Sequence, residues 1–126
     1  MEPKKWKNKN FLEALCHSLD GIKYGLQTER SLRIELLITV LAIGLGIFLE
    51  LSLLEFAILF LTIGIVLLAE LLNTAIEVML DLYSQEYNES IKLAKDISSG
   101  AVLITSIISV MVAAVLLLPK ILDKLI

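Results

Sequence analysis

Four polar residues recur along one short stretch, Ala69 to Asp81, AELLNTAIEVMLD. They are Glu70, Asn73, Glu77 and Asp81, set among Leu, Thr, Ala, Ile, Val and Met. On an α-helix, at about 100° per residue, Asn73 falls at about −60° from Glu70, Glu77 at about −20° and Asp81 at about +20°. The four therefore share one helix face, an arc of about 80°. Three carboxyl groups stacked this closely repel one another and call for a cation. They also sit at the end of a long apolar run, where ionisable groups are costly and mark function.

Lys95 and Asp96 add a basic–acidic pair at the start of the next apolar run. Mg²⁺ prefers carboxylate and phosphate oxygens and commonly uses one or two protein carboxylates. Phosphoryl transfer is mainly positioning plus charge stabilisation, with a base for the attacking hydroxyl. The residue types therefore permit a metal–nucleotide site at a membrane boundary, with Lys95 offsetting phosphate charge. Two other readings use the same residues. One is a set of interhelical polar contacts fixing an oligomer. The other is a small ion or proton transporter built on buried carboxylates. The Lys95–Asp96 pair beside an interfacial site favours the nucleotide, since a transporter places its carboxylates nearer mid-membrane. Asp96 also has a plain structural role open to it, as a helix N-cap.

The elements that must position these residues follow from the apolar pattern. The chain has 126 residues, 57% of them hydrophobic, and a mean hydropathy of +0.83. That is too apolar for a soluble domain of this size, and the apolar residues come in blocks, so an all-α integral membrane domain over residues 1–126 is expected. One cysteine, Cys16, excludes an intrachain disulfide. There is no P-loop, kinase glycine loop or Ser-His-Asp set, which excludes a soluble ATPase fold, and nothing points to nucleic acid. The polar first ten residues do not read as a signal peptide.

Trp6 among Lys4, Lys5, Lys7 and Lys9 suits a membrane surface. Phe11, Leu12, Leu15, Leu19, Ile22 and Leu26 recur at helical spacing, predicting an amphipathic surface helix over residues 11–29. Gly21 and Gly25 permit a bend or close packing there. A polar corner containing Glu29 leads into a first span at residues 32–49, with Glu35 one turn inside it. A second span at residues 54–83 is longer than a bilayer requires, so its acidic end should emerge. A polar loop follows at residues 84–95, where the Asn88-Glu89-Ser90 sequon lies inside the cell and is not expected to be glycosylated. A third span at residues 97–118 ends at Pro119, and its Ser98, Ser99, Gly100, Ala101, Thr105, Ser106 and Ser109 allow close helix approach.

Seven basic residues lie before or at the very start of the first span (Lys4, Lys5, Lys7, Lys9, Lys23, Arg30 and Arg33), none lies in the first connection, Lys92 and Lys95 lie in the second, and Lys120 and Lys124 in the tail. The N-terminus and the second loop are therefore expected in the cytoplasm. Glu29, Glu70, Glu77, Asp81, Lys95 and Asp96 then meet on the side that holds ATP. Three spans make thin walls for a site, so an oligomer with shared sites is expected.

Glu70-Leu71-Leu72-Asn73-Thr74-Ala75-Ile76-Glu77, followed by Asp81, resembles a signature of the small prokaryotic diacylglycerol kinase family. So does Ala94-Lys95-Asp96 followed by Ser99-Gly100-Ala101-Val102-Leu103. The resemblance extends over nearly the whole chain. It implies a homotrimer in the bacterial cytoplasmic (inner) membrane, with composite sites that transfer the γ-phosphate of MgATP to a lipid hydroxyl. Carried over by motif, Glu70 would be the general base, and Glu29 and Glu77 would hold the Mg²⁺ bridging the ATP phosphates. Asn73, Lys95 and Asp96 would complete the nucleotide site. The family has diacylglycerol and undecaprenol branches. The Lys4-Lys5-Trp6-Lys7-Asn8 start, Gly21-Ile22-Lys23, the Ser-Gly-Ala-Val-Leu form of the second motif and Leu118-Pro119-Lys120-Ile121 resemble the undecaprenol branch. Glu35 matches the glutamate of the diacylglycerol branch, where the other often has histidine. Asn88 and Asn10 also depart from residues common in the family, a histidine and an arginine. Undecaprenol is the expected substrate, with diacylglycerol as the alternative.

Overall fold

Three of the four helices begin on a side-chain cap. The computed structural model describes residues 7–126, so the reading of Lys4, Lys5 and Trp6 lies outside the described residues. Helix α1 spans Phe11–Thr28 and α2 spans Arg30–Phe48. The Asn10 side chain caps α1 by accepting from the Glu13 N–H at 2.8 Å. Between α1 and α2 only Glu29 leaves the helical region, at φ −102° and ψ 113°. The expected polar corner is thus a single residue. Arg33 secures it, its Nη1 donating to the Leu26 and Gln27 carbonyls at 2.8 and 3.1 Å. Those carbonyls lose their helical partners where α1 stops. Gly25 lets α1 fold back closely, because a Cβ there would lie 2.9 Å from Leu32 Cδ2 and 3.2 Å from Leu71 Cδ2.

Helix α2 ends in a Schellman motif. Leu51 N–H donates to the Gly46 carbonyl at 3.0 Å and Glu50 N–H to that of Ile47 at 3.1 Å. Glu50 occupies the left-handed position, with φ 57°. Ser52 and Glu55 then form a capping box that starts α3, Leu53–Tyr83. Asn88 caps α4, Glu89–Leu125, accepting from the Ser90 and Ile91 N–H groups at 2.9 and 3.2 Å.

Two expectations are overturned here. The second connection is residues 84–88 rather than 84–95, so Asp96 lies two turns inside α4 and is not its N-cap. Asn88, as good an N-cap as an aspartate, supplies that signal upstream. Nor does Pro119 end the helix, since α4 runs through it to Leu125. A proline removes one helical hydrogen bond, but contacts on both sides of Pro119 offset the loss. Leu116, Leu117 and Ile121 pack into the apolar core. Beyond the proline, the Lys120 ammonium lies 3.2 Å from the Glu55 carboxylate, and Lys124 donates to the Phe48 carbonyl at 2.8 Å.

Helices α2, α3 and α4 are each long and apolar enough to cross a membrane. At 1.5 Å per residue α3 is about 46 Å long and α4 about 55 Å, against a hydrocarbon core of about 30 Å. Their excess length carries the polar end of α3 and the start of α4 beyond the apolar layer on the same side. Helix α4 packs chiefly on α3, and α2 also packs on α3. The buried core, Leu49, Leu51, Leu59, Leu116 and Leu117, gathers at the α2–α3 turn. The acidic face lies at the opposite end of α3.

Candidate functional site

All four residues of the acidic face fall on α3, and three of the four are met by a side chain from another helix. Glu70 is 5% exposed, which is rare for a carboxylate. Ser31, one residue into α2 past the Glu29 joint, donates its hydroxyl to Glu70 Oε2 at 3.0 Å. Thr74, one turn on, donates to the Glu70 carbonyl at 3.0 Å. The carboxylate is therefore fixed at one oxygen by a neighbouring helix. Ser98 on α4, also buried, donates to Asn73 Oδ1 at 2.7 Å. The Asn73 amide in turn faces Glu77 Oε1 at a long 3.5 Å. Lys95 donates to Asp81 Oδ1 at 2.6 Å.

The expected site residues thus divide. Glu70, Asn73, Glu77 and Lys95 share one contiguous polar face at the α2–α3–α4 junction. Asp96 points elsewhere on α4 and pairs with Lys92 at 2.6 Å. Glu29 occupies the half-buried joint and makes no capping bond with its side chain. Ser31 and Ser98 were not singled out by sequence reasoning. Ser98 read as one more small residue of the third span, and Ser31 as part of a polar corner. The spacing that would have flagged Ser31 is across helices, and a single sequence does not carry it.

Charge at the outer end is balanced locally. The Asp81 carboxylate beside Lys95 holds the ammonium pKa above the usual 10.5, chiefly through their hydrogen bond, and the nearby Glu77 charge acts in the same direction. Among the described residues, no three His, Cys, Asp or Glu side chains come together to hold a metal by themselves. Glu29 and Glu77, each without a cation partner among the salt bridges of the described residues, suit an ion that brings most of its own ligands. A divalent cation carried on phosphate oxygens fits that description.

Two hollows flank the face. An apolar groove of about 450 Å³ runs between α1 and α3, lined by Ile22, Tyr24, Gly25, Leu71, Thr74 and Val78 among others. A polar hollow of about 340 Å³ opens at the α3–α4 connection, lined by Asp81, Tyr87, Asn88, Lys92 and Lys95 among others. On α3 the apolar groove takes in Leu71, Thr74, Ala75 and Val78 and the charged hollow begins at Asp81, so the acidic face runs alongside the first and reaches the second at its outer end.

The profile of a family described as prokaryotic diacylglycerol kinase matches residues 16–117. A diacylglycerol kinase of Synechocystis is 38% identical over 118 residues, 93% of this chain and 67% of the relative. An undecaprenol kinase of Bacillus subtilis is 34% identical over 122 residues, 95% of this chain and 99% of the relative. A diacylglycerol kinase of Escherichia coli is 31% identical over 106 residues, 84% of this chain and 87% of the relative.

Proposed function

The chain belongs to the prokaryotic diacylglycerol kinase family, and we propose that it transfers the γ-phosphate of MgATP to the hydroxyl of undecaprenol at the cytoplasmic membrane interface. The observation that carries the reading is the α3 face itself. It runs from a buried carboxylate beside an apolar groove to a lysine beside a charged hollow. A lipid alcohol and a nucleotide have opposite solvation needs, and this face runs beside one compartment suited to each.

In this reading Glu70 takes the proton of the lipid hydroxyl. Its Ser31 bond occupies one carboxylate oxygen, and the other would take the proton. Glu29 and Glu77 would hold Mg²⁺, which would supply charge stabilisation for the transferring phosphoryl group. Asn73, held by Ser98, and Lys95 bind the nucleotide, and Asp96 joins them on release from its pair with Lys92. Helix α1 lies on the cytoplasmic face of the bacterial inner membrane with the N-terminus inside, and three copies assemble into a trimer. The many exposed apolar residues on the three long helices, among them Leu37, Leu41, Leu61, Ile65 and Val110, favour both lipid contact and self-association.

Undecaprenol is preferred because the undecaprenol kinase relative is matched over 99% of its length and the sequence shares the branch features given above. Diacylglycerol is the second reading, favoured by Glu35. That residue lines a small interior cavity of about 60 Å³ with Thr39, Thr62 and Ser109, so its side chain takes part in the bundle interior. The test is phosphate transfer from labelled MgATP by purified protein in detergent, with undecaprenol and diacylglycerol offered separately and together. Faster labelling of the polyprenol supports the assignment, and faster labelling of diacylglycerol reverses it. No transfer to either by folded protein would overturn the lipid-kinase reading.

A further inference from the structure

Asp81 shares the acidic face but has no part in the proposed chemistry. Its contact with Lys95 is nevertheless specific in direction. Ser98 on α4 meets Asn73 on α3, which sets the two antiparallel helices in register. Lys95 lies three residues outward of Ser98, and Glu77 four residues outward of Asn73, so the two are about level along the bundle at 1.5 Å per residue. A lysine at that height has Glu77 as a natural partner. Its ammonium instead reaches one turn further out and binds Asp81 at 2.6 Å. Among the described residues, Glu77 is left with only the long Asn73 contact. Lys92, the next ammonium along α4, is bound to Asp96.

We propose that Asp81 is a positioning residue: by binding the Lys95 ammonium it keeps that cation off Glu77, leaving the Glu77 carboxylate open to a divalent metal ion. The inference rests on the reading of Glu77 as a metal ligand and goes beyond it. An ammonium seated on Glu77 would compete with the metal for the same oxygens. With Lys95 parked at the mouth of the charged hollow, the metal and the lysine approach the phosphates from different sides. The pair is easily released, since its side chains are 36% and 60% exposed, and exposed ion pairs are weak. Lys95 can therefore leave Asp81 for a phosphate when a nucleotide arrives.

The test is Mn²⁺ binding, followed by the protein-dependent change in the electron paramagnetic resonance signal relative to Mn²⁺ and analogue without protein, in detergent-solubilised protein with a non-hydrolysable ATP analogue and no lipid. Asp81→Asn should weaken half-saturation by about twofold to fivefold, the size an exposed ion pair supplies. Asp81→Glu should restore it. Asp81→Asn combined with Lys95→Gln should bind Mn²⁺ as tightly as Lys95→Gln alone, because the competing ammonium is gone. Glu77→Gln separates the two ideas. If it leaves Mn²⁺ binding intact, Glu77 is no ligand and both readings fall. If Glu77→Gln weakens binding while Asp81→Asn does not, or if the double variant is as weak as Asp81→Asn, the positioning role alone is overturned.

Discussion

Replacing Glu70 by glutamine isolates its charge from its shape. The side chain is 5% exposed and its Oε2 accepts the Ser31 hydroxyl at 3.0 Å. A glutamine has the same length, and its amide oxygen accepts that bond equally well, so the α2–α3 contact persists. The Thr74 bond goes to the backbone carbonyl and is untouched. What disappears is the ability to take a proton. General-base catalysis typically contributes about 10²- to 10⁴-fold, or about 3 to 5 kcal/mol at 1.36 kcal/mol per decade. The lipid kinase rate at saturating substrates should fall by that factor. The KM for MgATP should stay within about threefold, because an interaction made only in the transition state lowers kcat without changing ground-state binding. Thermal unfolding in detergent should be unchanged or raised, since a neutral amide is easier to bury than a carboxylate. The assay is labelled phosphate transfer, with unfolding followed in the same preparation. A Glu70→Gln protein that keeps more than a tenth of the wild-type rate would refute Glu70 as the base. Loss of activity together with loss of the folded protein would refute the claim that the residue's shape alone maintains the junction.

Ser31→Ala removes the donor to a buried carboxylate and should cost about 1 to 3 kcal/mol of stability, read as a lower unfolding midpoint than wild type and restored by Ser31→Thr. Gly25→Ala places a methyl 2.9 Å from Leu32 Cδ2, which should push α1 and the Glu29 joint outward; kinase activity should drop more than stability, and an unchanged rate would show that the α1 seat is not needed. Glu50→Gly should raise stability by about 0.5 to 1 kcal/mol, as the relief of a left-handed non-glycine position exceeds the added freedom of the unfolded chain, with activity unaltered. The Asp81–Lys95 pair raises the Lys95 pKa above 10.5, so the stability it adds is complete below 10.5 and is lost only as pH rises through the raised value. The pH dependence of unfolding between 7 and 10 should accordingly be the same in wild type and Asp81→Asn.

The sequence was most legible where one helix carries the whole signal. The Glu70–Asp81 face required only the α-helical period, and α3 contains it entire. The three long apolar helices and the corner at Glu29 were legible for the same reason, since hydropathy and local caps are local properties. Errors arose where tertiary contacts override a local rule. Pro119 reads as a stop, yet Lys120 and Lys124 find acceptors at the α2–α3 turn and carry the helix onward. Asp96 reads as a cap, but Asn88 caps first and two more turns of helix form ahead of it. Ser31 and Ser98 were invisible as partners of Glu70 and Asn73, because cross-helix register is a property of packing.

The two ends of the bundle are built by different forces, and this bears on how the site works. At the α2–α3 turn a leucine core is closed by the Schellman motif, the capping box and the α4 lysines. At the other end, Val66 is the last buried apolar residue on α3 before Glu70. From there outward the α3–α4 contact is described by two polar rungs, Ser98–Asn73 and Lys95–Asp81. A net hydrogen bond contributes about 1 kcal/mol, so these two rungs add less than the buried leucines of the core end, and in the proposed kinase this looser end is where the substrates would enter. The same looseness leaves the Glu70 face incompletely walled in one chain. Further copies packed against the exposed apolar sides of α2 and α4 would close it, which is the physical support for the proposed trimer. It follows that detergents which dissociate the assembly should abolish phosphate transfer before they unfold the helices. Transfer by a demonstrably monomeric species would show that one chain is enough.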